Sequence, residues 1–252
     1  MNYQWSWSAF YDLSGDGVST YAHNLVCGAG WTIATALASA VIALLVGIAV
    51  GLLQVSTDRF KRCAGAAYVE LFRDIPLLVQ IFLWYFVVPE LLPSTLGTWI
   101  KGLQYGAFFT SLLAIGLYTA ARVAEQTRSA IGALSRGQLI AGLALGLTTA
   151  QVFRLIVLPQ AFRMMIPPLT SEMVNLVKNT SIGMTIGLLE LTARAREMQE
   201  TTFHTFEAFS AATLGYLVIN LVLIGAIQVL PALKKGNKVQ VARSLPIEEV
   251  MP

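Results

Sequence analysis

Lys178 stands in a largely apolar stretch together with Ser171, Glu172, Asn175, Asn179 and Thr185, with Ser181 nearby. At about 100° per residue, the six polar side chains from Ser171 to Thr185 fall within roughly 140° of arc on one helix face. Such a stripe can do one of two things. It can line a path for a charged, hydrogen-bonding solute, with Lys178 compensating a solute carboxylate. Alternatively it can tie helices together, with Lys178 paired to Glu172 or to a neighbouring subunit. Both readings stay open. A lysine at mid-membrane costs about 2.5–3.5 kcal/mol on insertion scales, so in either case it must face a partner or water.

Two further charge pairs have helical spacing. Glu70 and Arg73, at i,i+3, suit a structural or gating ion pair, and Arg73 is also a candidate for solute contact. Arg122 and Glu125 share that spacing and suit a pair at a membrane boundary. Catalytic chemistry is not indicated. No Gly-x-x-x-x-Gly-Lys-Ser/Thr loop and no Gly-x-Ser-x-Gly turn occurs, and no cysteine or histidine spacing suits a metal. The chain therefore carries no expected cofactor of its own.

These residues sit in a chain of 252 residues that is 56% hydrophobic and 12% charged. A soluble domain carries about 25% charged residues. Half that share cannot cover a globule of this size, and it also excludes disorder. A net charge of +3 without long basic runs does not suggest nucleic acid. Most of the chain must be solvated by lipid. Cys27 and Cys63 flank one long apolar segment, so a spanning helix would hold the thiols on opposite sides. The first residues show neither basic charge nor an apolar h-region, so insertion is expected to use the first spanning helix.

Five segments are apolar enough to span: Trp31 to Val55, Ile75 to Leu92, Tyr105 to Ala121, Met165 to Glu190 and Ala208 to Leu233. Pro76 starts or kinks the second. Cations set the orientation. With the N-terminus outside, the inner side collects Arg59, Lys61, Arg62, Arg122, Arg128, Arg136, Arg154, Arg163, Lys234, Lys235, Lys238 and Arg243. The outer side has only Lys101, Arg194 and Arg196. Residues 1–28 then form an outer segment whose Tyr3, Trp5, Trp7, Phe10 and Tyr11 suit an interfacial belt, 29–233 the membrane domain, and 234–252 a cytoplasmic tail. Gly47-x-x-x-Gly51 and Gly183-x-x-x-Gly187 offer close helix contacts.

The inner loop, about 134–163, is too patterned for a linker. Ser135 with Gln138, and Thr148 with Gln151, are spaced as capping boxes. The first helix is expected over Arg136–Leu145 with a left-handed cap at Gly146, and the second over Thr149–Leu158 with a break at Pro159. Two short, mostly apolar helices at an inner membrane face want a protein groove.

Gly137, Gln138, Ala141, Gly146, Ile156, Leu158 and Pro159 carry a resemblance. Gly146, nine intervening residues, then Ile156-x-Leu158-Pro159 resembles the loop of bacterial ABC importer permeases; Ile140-Ala141-Gly142 stands where that motif has Glu-Ala-Ala. The run from Val69 to Gln80 and the run Asn175-Leu176-Val177-Lys178-Asn179-Thr180-Ser181 are similar to segments of polar amino-acid permeases. Trp84-Tyr85-x-x-x-Pro89-Glu90-Leu91-Leu92-Pro93, Thr119-Ala120-Ala121-Arg122-Val123 and Thr170-Ser171-Glu172-Met173 resemble the glutamate/aspartate importers in particular.

The resemblance implies an all-α membrane protein with the type I ABC importer permease fold: five transmembrane helices, N-terminus periplasmic, C-terminus cytoplasmic. It implies a transport subunit of the bacterial inner membrane, not an enzyme. The expected partners are a second permease subunit (a paralogue), a dimer of ATPases that binds ATP and Mg, and a periplasmic amino-acid-binding protein. The loop residues above would dock the ATPase. Glu172, Asn175, Lys178, Asn179, Ser181 and Arg73 would line the pathway. Loss of the motif's Glu at Ile140 removes a carboxylate from the dock. The alternatives are a permease for glutamine, asparagine or a basic amino acid, or a secondary transporter working alone, which would favour an internal repeat of broken helices.

Overall fold

A computed structural model of the chain describes residues 3, 5–15, 17–134 and 136–229. After a 3-10 turn at Trp7–Tyr11, the helices are α1 (Tyr21–Gln54), α2 (Arg59–Asp74), α3 (Leu77–Leu91), α4 (Ser94–Lys101), α5 (Gly106–Gly132), α6 (Arg136–Ala144), α7 (Thr149–Ile186), α8 (Leu191–Thr202) and α9 (Thr205–Val229). Among the described residues α1, α5, α7 and α9 are long and apolar enough to cross a membrane. A fifth crossing counts α2 with α3, which meet at a bend of 100°.

α1 shows how a nearly uniform apolar helix chooses its faces. Between Gly28 and Gly47 its buried positions are all small or polar (Gly28, Thr32, Thr35, Ala36, Ser39, Ala43, Gly47), and Gly51 follows on the same face, while Ile33, Leu37, Val41 and Leu45 are exposed. In lipid, burying leucine between helices gains little over leaving it in the acyl chains, whereas small residues allow close backbone approach. α5 packs along this small-residue face, parallel to α1. Trp31 meets Tyr105 and Phe108 at one end, Ser39 donates to the carbonyl of Leu112 at 3.1 Å, and Gly47 and Gly51 lie on Val123 and Thr127. A Cβ on Gly47 would stand 2.6 Å from the Val123 Cβ and 2.7 Å from the Ala120 carbonyl. Gly183 likewise approaches Ser111, but Gly187 ends its helix at φ 90°, where an added Cβ would meet nothing within 4 Å.

The helices extend beyond the expected spans. α1 reaches back to Tyr21 instead of starting at Trp31, because Thr20 caps it and Tyr21, Asn24 and Leu25 are buried. α5 continues past Ala121 to Gly132, its added turns burying Val123, Ala124, Thr127 and Ala130. Pro76 starts α3, in line with the first of its two expected roles.

The clearest correction concerns Pro159. The second loop helix does not break there; it runs unbroken into the fourth span as α7. The Leu158 N–H bonds to the carbonyl of Phe153, five residues back, in a π turn over Phe153–Val157. α3 repeats the device: the Val88 N–H bonds to Leu83, just before Pro89. A proline ring displaces the carbonyl four residues earlier, here Leu155 and Tyr85. Widening the turn by one residue absorbs that clash and keeps the helix going.

Ser135, the tail 234–252 and the end of the fifth span lie outside the described residues.

Candidate functional site

The expected site residues fall into two groups. The first is the loop. Gly146 ends α6 at φ 82°, with the Gly146 N–H bonded to the Leu143 carbonyl at 3.0 Å and the Leu147 N–H to the Gly142 carbonyl at 3.2 Å. This paired pattern is the one a left-handed C′ glycine makes. Thr148 and Gln151 complete their capping box, each side chain accepting from the other's backbone N–H at 3.3 and 2.8 Å. Gln138 donates to the side-chain oxygen of Gln160 at 3.1 Å, and Gln160 to the Ile156 carbonyl at 3.0 Å, so α6 is tied to the start of α7. Gly137, Ala141 and Pro159 are exposed and Ile156 and Leu158 half-buried. The outer side of this hairpin is apolar: Ile140, Leu145 and Leu155 are 66%, 81% and 62% exposed.

The second group lies on α7 and around it. Glu172 does not pair with Lys178. Six residues along a helix mean a rise of about 9 Å and a rotation that leaves the two on opposite edges of the polar arc. Glu172 instead faces Arg122 of α5, Oε2 to Nη1 at 3.7 Å. Arg122 also donates to the Tyr118 hydroxyl at 3.1 Å, and its guanidinium lies 5.2 Å from that ring's centre. Glu125 thus has no part in an Arg122 pair; it pairs with Arg128 one turn on. Nor do Glu70 and Arg73 form an ion pair. They line one hollow beside Glu125 and Arg128 without pairing, and Arg73 also reaches a second hollow on the Arg122 side of Glu125.

Arg73, Arg122, Glu125, Gln126, Ser129, Met164, Pro168 and Glu172 surround a cavity of about 490 Å³ between α5 and α7. Two of the expected residues, Arg73 and Glu172, are thereby brought together. Asn175 and Asn179 are half-buried further along α7, and Lys178 is exposed, with no carboxylate in salt-bridge range among the described residues. Ser181 donates to the Lys178 carbonyl at 2.8 Å and Thr185 to that of Ile182 at 2.7 Å. These hydroxyls serve the 3-10 turn that closes α7 at Thr180–Ile186.

Two features were not anticipated. The pairing of Arg122 with Glu172 was hidden because Glu125 has arginines at both i−3 and i+3, and spacing alone cannot choose between them. Glu190 is fully buried and accepts from the N–H groups of Thr192 and Ala193 at 2.9 and 2.8 Å and from the Tyr216 hydroxyl at 2.5 Å. The Thr32 hydroxyl lies 3.5 Å away, so this one carboxylate joins α1, α8 and α9. Its only sequence signal was a lone acid after an apolar run, just before a helix.

Residues 43–233 match the family described as binding-protein-dependent transport system inner membrane component. The glutamate/aspartate import permease protein of Escherichia coli strain K12 is 45% identical over 87% of this chain and 91% of its own length. A probable glutamine ABC transporter permease protein of Bacillus subtilis is 35% identical over 74% of this chain and 84% of its own. Among solved structures, an amino acid ABC transporter crystallised with histidines superposes with a TM-score of 0.71 at 28% identity, covering 82% of this chain and 92% of that one. The MetNI methionine ABC transporter shares the fold, at a TM-score of 0.64 and 18% identity over 86% and 96% of the two chains. The chain belongs to the binding-protein-dependent transport system inner membrane component family, as the multi-pass permease subunit of an ABC importer in the inner membrane.

Proposed function

We propose that this permease moves glutamate and aspartate inward, driven by ATP. The observation that carries the reading is the 45% identity, along nearly the whole of both chains, to a glutamate/aspartate import permease. The cavity between α5 and α7 supports it, since Arg73 and Arg122 offer guanidinium groups to a dicarboxylate.

In this reading the membrane domain has five crossings, with the N-terminus in the periplasm and the C-terminus in the cytoplasm. The parallel packing of α1 and α5 favours an odd count, because a chain that crosses twice in one direction must return once between. The helix available for the return is α3, with α2 turned 100° against its start. The partners are a second permease subunit (a paralogue), an ATPase dimer that holds ATP and Mg, and a periplasmic binding protein that delivers the amino acid. Gly137, Gln138, Ala141, Gly146, Ile156, Leu158 and Pro159 form the ATPase dock, where exposed Ile140, Leu145 and Leu155 offer an apolar surface. Because α6 is tied to α7, a push on the dock tilts the helix that carries Glu172, Asn175, Lys178, Asn179 and Ser181. Arg73 lines the same cavity as Glu172. Alternating access then follows if the two tilts bind the partners differently.

The test is uptake of labelled amino acids into proteoliposomes holding the permease, its ATPases and the binding protein. ATP-dependent glutamate uptake, competed by aspartate and not by glutamine, is expected. Uptake without the ATPase would replace the reading with secondary transport, and preference for glutamine would replace the substrate.

A further inference from the structure

The aromatic stretch before α1 has no part in the pathway or the dock, yet it is built with care. Trp5 and Trp7 stack at 5.7 Å between ring centres, and Trp7 stacks on Phe10 at 6.0 Å. Tyr3 stands edge-on to Trp5 at 5.3 Å and to Phe206 of α9 at 4.7 Å. The row is fastened from below. The Tyr3 hydroxyl and the Ser6 N–H, the latter at 2.7 Å, both donate to the buried carboxylate of Glu207, and Ala9 is buried among α1, α8 and α9. Its upper side is bare, with Trp5 and Trp7 56% and 57% exposed.

We propose that residues 3–11 are an interfacial anchor: the aromatic row lies among phospholipid headgroups at the end of the bundle where α1 and α9 begin, and Glu207 is the clasp that holds it there. Three observations point to lipid and not to a soluble partner. Residues 3–11 contain no Lys, Arg, Asp or Glu, so the row lacks charges for a polar rim. Its apolar rings with polar tips suit the headgroup level, where indole and phenol side chains concentrate. The exposed row also runs on through Phe206 to Phe209 and the exposed apolar side of α9, a helix apolar enough to span. Clasped to α9 and resting at headgroup depth, the row fixes how deep α1 and α9 sit.

The proposal is tested by tryptophan quenching in nanodiscs of phosphatidylcholine and phosphatidylglycerol, without recourse to transport. The emission of Trp5 and Trp7 is taken as wild type minus the Trp5→Phe/Trp7→Phe variant. It is expected to be quenched at least about twofold more by phospholipid brominated near the headgroup than by aqueous iodide. Tyr3→Phe keeps every tryptophan and loses only the hydroxyl that Glu207 holds. It is expected to shift total quenching from brominated lipid toward iodide, and this comparison decides alone if the double variant does not fold. Difference emission quenched by iodide and untouched by brominated lipid would place the row in water or on a soluble protein and overturn the anchor. Unchanged quenching in Tyr3→Phe would overturn the clasp.

Discussion

Arg122 of α5 and Glu172 of α7 face each other at 3.7 Å across the wall of the cavity, joining the two helices that flank it. The Glu172 side chain is only 13% exposed, whereas that of Arg122 is 43% exposed. The two halves of the pair are therefore unequal. Arg122→Gln leaves a largely buried carboxylate without its cation, while Glu172→Gln leaves a guanidinium that water can still reach. Arg122→Gln should lower thermal stability more than Glu172→Gln, and the double variant should recover part of the loss. A coupling of about 0.5–3 kcal/mol is expected from the cycle. Equal losses that simply add would mean that the pair is incidental.

Pro159 holds the π turn that joins the dock to α7. With Pro159→Ala, the Leu155 carbonyl regains an N–H partner and the clash that widened the turn is gone. The turn should relax to regular α-helix, rotating the dock about 100° relative to the span. The ATPase should still bind, while uptake should fall by about tenfold or more, consistent with a misplaced coupling contact. Wild-type uptake per ATP hydrolysed would show that the π turn is dispensable.

What the sequence made legible was whatever depends on local patterning. Apolar runs announced the spans, Gly146 the end of α6, and Thr148 with Gln151 the start of α7. What it hid was set by packing between segments far apart in the chain. Pro159 as a breaker follows from local rules alone; that the helix goes on depends on a widened turn and on Ala161 and Met165 packing against Ala130 of α5. Arg122 could be assigned to Glu172 only once α5 lay beside α7. Glu190, joined to Thr32 and Tyr216, has partners that no window of sequence would bring together.

Gly146 and Gly47 should fail for opposite reasons. Around Gly146 nothing lies within 4 Å of an added Cβ, but its φ of 82° is costly for a side chain. Gly146→Val should cost about 1–2 kcal/mol in the α6 cap and reduce coupling, while Gly146→Asn, which tolerates this conformation, should transport nearly normally. Gly47→Ala has an easy helical backbone and no room, so α1 and α5 must separate, and thermal stability should fall by about 1–3 kcal/mol. Limited proteolysis of the loop against melting of the bundle separates the two effects. Normal coupling in Gly146→Val would count against the cap.

Lys178 carries the sharpest choice. It is exposed on the single subunit, without a carboxylate in reach among the described residues, in a helix that crosses the membrane. A mid-membrane ammonium costs about 2.5–3.5 kcal/mol unless it reaches water or a compensating partner, and the two partners to be tested are the solute and a second permease. Lys178→Met removes the cost together with the function it serves. If the solute is the partner, the variant should assemble as well as wild type and lose glutamate uptake. If the second permease is the partner, that subunit's own charge is left unpaired and the complex should fall apart on co-purification. Intact assembly with unchanged uptake would remove Lys178 from the pathway and from the subunit contact alike.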